Sequence, residues 1–264
     1  MQKSDKQPLK LFDIANQQPV AVRSSTQVQK KADSTVSCDP NRQSINDAAL
    51  EVDRFAWPPL CQALDETAKT VAGPIVDAIA TAADSGRRVI LITSGARQSG
   101  RTTTAIWLAA TCALTNRRIA LIDADVEKPS IAQLLGIQPP AGWEHFSTKD
   151  QPLGEYLIDS IADRFTVLPC TFDASLTQWP HLWDLASIFE FLRDQYDVIL
   201  VDVPPLERRG LGSEMLADCG PFIDAALWLD THPVDTMWAQ AQLHTAGVPL
   251  LGLIQRAQLA AQAA

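Results

Sequence analysis

A doubly wound α/β domain, with a mainly parallel sheet and helices on both faces, is predicted by three observations. Short, nearly continuous apolar runs alternate with segments of helical length, as strands buried on both faces of a sheet require. The first full run, 89–92, breaks into a glycine-bounded turn at 95–102 (GARQSGRT), and an apolar stretch of helical composition follows at 105–114 (AIWLAATCAL). Two later runs end in aspartate, one at Asp123 with Asp125 just beyond, the other at Asp202. Such an alternation places a ligand at the carboxyl ends of the strands.

Residues 1–50 are rich in Gln, Ser, Asp and Lys and hold no sustained period, so they are read as a flexible arm with one apolar cluster at 8–14 (PLKLFDI) that could dock. The domain proper runs over 51–264. Phe55, Trp57, Leu60 and Leu64 would anchor its start, and Pro58 and Pro59 suit the opening of a helical lead-in over 58–84, interrupted near Gly73 and Pro74. After the first strand and its helix, further strands are expected at 118–123, 165–168, 198–202, 225–229 and 250–254, with helices at 182–192 and 234–244.

Composition narrows the class. At 264 residues with 46% hydrophobic content and mean hydropathy −0.02, the chain is globular and can bury a large core. A net charge of −9 argues against nucleic acid as the main partner. The five cysteines (Cys38, Cys61, Cys112, Cys170, Cys219) form no C-x-x-C pair, which indicates neither a disulfide framework nor a zinc site and fits a reducing cytosol. The four histidines have no metal-ligand spacing, and no run is long enough to span a bilayer. Trp143 and Trp179 are weighed as carbohydrate-stacking residues against a plain core role.

The turn at 95–102 fits the phosphate-loop pattern G-x-x-x-x-G-K-[ST] except that Arg101 stands where lysine belongs. In such a loop, backbone N–H groups turn in on a phosphate, the following helix adds its positive end, and the closing hydroxyl of Thr102 can ligate magnesium. Carboxylates on neighbouring strand tips complete the chemistry, because magnesium takes oxygen ligands and an attacking group can need a base. Each aspartate alone could equally cap a helix. Three such elements in order point to nucleotide binding.

With these residues in view, the loop, the stretch IALIDADVEKPSIAQLLGI and the stretch YDVILVDVPP resemble the cytoplasmic ATPase domain of bacterial tyrosine kinases of capsule and exopolysaccharide synthesis, relatives of the MinD and ParA ATPases. The resemblance covers about 85–255 and implies a P-loop NTPase fold with ATP and Mg2+ as cofactors. It implies that Gly95, Ala96, Arg97, Gln98, Ser99, Gly100, Arg101, Thr102 and Thr103 hold the nucleotide. Arg101 and Asp123 would carry catalysis, with Asp123 and Asp125 serving the attacking hydroxyl and the ion's shell, and Thr102, Asp125 and, through water, Asp202 would hold magnesium. It further implies a cytoplasmic location and recruitment to the membrane by a separate, membrane-embedded chain-length or export protein; a homo-oligomer is left open.

Several positions depart from that pattern. Arg101 keeps the lysine's charge but not its compact geometry. Ala96 lacks the signature lysine of MinD and ParA relatives, Glu127 reverses a charge beside the site, and Gln255 replaces an asparagine that reads the adenine. Only Tyr156 and Tyr196 are present, so the tyrosine-rich tail that the kinases phosphorylate is missing, and no arginine-bearing contact helix is recognisable in 60–84. The expectation is therefore an ATP-binding regulator with weak or no kinase activity. The alternatives are a P-loop pseudoenzyme acting as an interaction module and a MinD- or ParA-like positioning ATPase, for which 257–264 (AQLAAQAA) offers no cation to build a lipid-binding helix.

Overall fold

The computed structural model describes residues 9–13, 18–19, 48, 50–67, 69–146, 152–171, 182–207, 210–230 and 233–256. Its centre is a run of parallel strands: β4 (Val89–Ser94), β5 (Ile119–Asp123), β7 (Phe165–Leu168), β8 (Val198–Asp202), β9 (Ala225–Asp230) and β10 (Leu250–Arg256). They lie in the order β10-β9-β4-β8-β5-β7, and every neighbouring pair is parallel. β4, β5, β7 and β8 are buried at every position. That explains their nearly continuous apolar sequences, since neither face meets water.

Alternate residues of each strand feed two cores. On one face Ile90, Ile92, Leu121 and Leu200 pack with α2 (Lys69–Asp84) and α3 (Arg101–Ala113), and α1 (Pro59–Thr67) adds Cys61. On the other, Leu91, Ile122 and Val201 pack with α5 (Leu182–Arg193), α6 (Leu211–Cys219) and α7 (Pro233–Thr245). The short α4 (Ile131–Leu134) follows the loop after β5. This is the expected doubly wound architecture, and it is the P-loop NTPase fold.

Four strands were not expected. β6 (Ile158–Ser160) runs antiparallel to β7, and β3 (Leu50–Val52) pairs with β6 at that edge. At the opposite edge β1 (Leu9–Asp13) lies antiparallel to β10, with β2 (Gln18–Pro19) outside it. Thus part of the presumed arm is strand, while most of 1–47 lies outside the described residues. The helical lead-in also differs from expectation. Pro74, where an interruption was expected, sits inside α2. A proline there omits a bond only to Thr70, in the helix's first turn, so the helix continues.

Candidate functional site

The loop between β4 and α3 occupies the carboxyl end of the sheet beside β8 and β5. Its turn is made by two left-handed residues, Gln98 at φ 61° and Gly100 at φ 86°, the second capping α3. Gly100 tolerates this conformation at no steric cost, whereas Gln98 adopts it at some. The base is pinned inside: the Ser94 hydroxyl donates to the Ala96 carbonyl at 2.9 Å, and the Ser99 hydroxyl donates to Ser94 at 2.9 Å. Around it Gly95, Ala96, Arg97, Gly100, Thr102 and Thr103 are half-buried and Gln98 is exposed. Gly100 at the N-cap has no side chain to cap the first N–H groups of α3, which leaves the helix start able to meet an anion.

Arg101 behaves differently from its neighbours. Its side chain is 7% exposed and turned onto the strand tips, where Nε donates to Asp202 Oδ1 at 2.8 Å and Nη2 donates to Asp125 Oδ2 at 2.6 Å. One guanidinium therefore bridges both carboxylates that the sequence offered to magnesium. Arg97 reaches the same Asp125 oxygen at 3.4 Å and also forms an ion pair with Glu127. The charge reversal at Glu127 is thus matched by a cation in the loop. The sequence contained both residues, but their pairing depends on the turn at 124–128, where the Lys128 N–H donates to Asp125 Oδ1 at 3.3 Å.

Asp123 is placed apart from this bridge. In register with Asp202 on the adjacent strand, it is fully buried, and its Oδ2 accepts the Ser130 and Ile131 N–H groups, each at 2.9 Å. It caps the start of α4, the role that a strand-end aspartate could equally have had. Burial first, then repulsion from Asp202, pushes its pKa up to about 8 against the lowering effect of those two N–H bonds. Burial likewise raises Asp202, opposed by Arg101 and the Thr102 hydroxyl. Trp143, weighed for carbohydrate stacking, is instead fully buried and donates its indole N–H to the Asp123 carbonyl at 2.7 Å. Trp179 lies outside the described residues.

Direct ligation of a magnesium ion by these two carboxylates does not fit. The ion takes near-octahedral oxygen ligands, and among the described residues only Asp202 Oδ2, of the four carboxylate oxygens on Asp125 and Asp202, has no hydrogen-bond partner. Among the described residues no group of three or more His, Cys, Asp or Glu is arranged to hold a metal. Gln255 lies on β10, opposite Lys10 of β1 and Asp230 of β9.

The fold, with its loop between β4 and α3 at the carboxyl end of the sheet, is that of P-loop NTPases. No family model matches the chain. In sequence it is 28% identical over 178 residues to an iron-sulfur cluster carrier protein of Deinococcus radiodurans, covering 64% of this chain and 49% of that one. In structure it is similar to the kinase domain of the Escherichia coli tyrosine kinase ETK, with a TM-score of 0.65 at 18% identity over 82% of this chain and 94% of that domain. It is also similar to the septum site-determining protein MinD of Pyrococcus horikoshii in complex with Mg-ADP, with a TM-score of 0.55 at 22% identity over 63% and 68%. At these identities the structural likeness establishes the fold. The chain spans about half the length of the curated relatives it matches. The likeness to kinase domains was anticipated from sequence; the likeness to iron-sulfur carriers was not.

Proposed function

We propose that this chain is an ATP-binding P-loop protein that transfers phosphate slowly or not at all, and that it serves as the regulatory partner of a membrane-embedded exopolysaccharide chain-length or export protein. The observation that carries the first half is Arg101. A loop of the right shape stands at the head of α3, but the side chain that should follow the β and γ phosphates is held at 2.6 and 2.8 Å by two buried carboxylates. A group tied in this way cannot move with charge developing in a transition state, so binding survives better than catalysis. The polysaccharide role rests on the sequence resemblance of IALIDADVEKPSIAQLLGI and YDVILVDVPP to tyrosine-kinase ATPase domains of capsule and exopolysaccharide synthesis. Among the described residues no helix is long and apolar enough to cross a membrane, which suits a partner that supplies the anchor.

Calorimetric titration with ATP, paired with assays of ATP hydrolysis and tyrosine phosphorylation, tests this reading. Saturable heat is expected, with turnover indistinguishable from a protein-free control. Robust transfer to tyrosine would overturn it. Recovery with a polysaccharide-export protein from detergent-solubilised membranes is the expected result for the partner.

A second reading, iron-sulfur carriage, is favoured by the sequence relatives. Against it, Cys61, Cys112, Cys170 and Cys219 are all buried, and burial pushes the thiols of Cys112 and Cys219 each up to about 12, far from the thiolate that ligates metal. Anaerobic reconstitution with iron and sulfide, followed by desalting, should leave the protein colourless; retained iron and sulfide in stoichiometric amount would favour the carrier.

A further inference from the structure

We infer that the Arg101 guanidinium takes the place of the divalent ion, so that this loop binds the phosphates of a nucleotide without magnesium. The inference rests on the ATP-binding reading above. Three observations carry it. The guanidinium spans Asp125 and Asp202 from a side chain 7% exposed, with the carboxylate-bearing side chains 4% and 0% exposed, so the cation is part of the protein interior. An ion placed at the remaining oxygen, Asp202 Oδ2, would sit against that guanidinium, like charge on like charge. Arg97 occupies the next position, shared between Asp125 and Glu127, and closes the other approach to the same carboxylate.

What remains suits an anion. Arg101 has five N–H donors, of which Nε and one on Nη2 are used by the two aspartates. The others match phosphate oxygens in the planar geometry that arginine offers and lysine does not. The uncapped N-terminus of the 13-residue α3 adds backbone donors behind them. Asp125, Asp202 and Glu127 outnumber Arg97 and Arg101, so the attraction depends on directed hydrogen bonds more than on net charge and the affinity is modest.

Titration calorimetry of the wild-type chain with ATP, once in EDTA and once in excess magnesium, tests this directly. Binding in EDTA equal to or tighter than in magnesium is the expected result. Arg101→Lys replaces the fork by a compact ammonium that cannot bridge both carboxylates, and in that variant ATP should bind about tenfold or more weakly in EDTA than in magnesium. Wild-type heat seen only with magnesium would overturn the inference and leave ATP binding standing. No heat in either buffer would remove both. Equal binding of Arg101→Lys in the two buffers would show that the arginine is not what replaces the ion. The wild-type comparison holds whether or not the variant folds.

Discussion

At the site, two aspartates separated by one residue have opposite fates. Asp125 faces the loop and is bound by arginine, while Asp123 faces α4 and is bound by backbone. Identity alone could not distinguish them, because both follow the same apolar run. The difference has a measurable consequence. With a folded pKa near 8 and an unfolded value of about 3.9, Asp123 keeps its proton in the native state over a range where the unfolded chain has released it. The native state then binds the extra proton, so its stability is full below about pH 4 and falls as pH rises towards 8, with a slope from this single group of at most about 1.4 kcal/mol per pH unit. Asp123→Asn cannot titrate and keeps an acceptor for the Ser130 and Ile131 N–H groups. Urea midpoints measured from pH 5 to pH 8 should therefore fall less steeply for the variant than for the wild type. Parallel slopes would show that Asp123 is ionised in the folded protein.

Among the elements, the loop after β8 is held as firmly as the phosphate loop itself. Val203 and Leu206 donate their N–H groups to Ile92 and Ser94 of β4, at 3.2 and 2.9 Å, and the Thr93 hydroxyl donates to the Pro204 carbonyl at 3.1 Å. Helix α6 then packs on the same loop at Gly212, where an added Cβ would meet the Pro205 and Pro204 carbonyl oxygens at 2.5 and 2.6 Å. Neither carbonyl can rotate away without disturbing the strand tip that carries Asp202. Gly212→Ala is expected to destabilise the fold by about 1–3 kcal/mol in urea unfolding, whereas Gly73→Ala in α2, which meets nothing, should not. An unchanged midpoint for Gly212→Ala would mean that α6 can slide on the loop. Helix α6 itself was not foreseen, and neither were the edge strands. The central strands were legible because burial on both faces leaves short, nearly continuous apolar runs. β3 and β6, three residues each with polar members such as Glu51 and Asp159, carry no such signal. The site was legible in the same partial way. The loop, the aspartates and the odd arginine stand in the sequence, but the bridge from Arg101 to Asp125 and Asp202 spans 24 and 101 positions and exists only once β5 and β8 are neighbours.

Over the whole molecule, the sheet begins and ends with the N-terminal part of the chain. β1 covers β10 at one edge, and β3 closes the other edge on β6. β10 is a seven-residue strand, LLGLIQR, and without β1 its outer row of N–H and C=O groups would be unpaired. A long apolar edge of this kind recruits strands from other molecules. The register of β1, with Leu9 opposite Arg256 and Phe12 opposite Leu253, fills the end of β10 nearest the ligand side of the sheet. The segment from 9 to 13 thus acts as a built-in cover whose loss should appear in association rather than in the fold. A chain lacking residues 1–20 is expected to keep the far-ultraviolet circular dichroism of the parent's core while its light scattering rises with concentration more steeply than that of the full chain. Matching scattering for the two would mean that β10 needs no cover, and that the pairing of β1 contributes nothing to keeping copies of this protein apart.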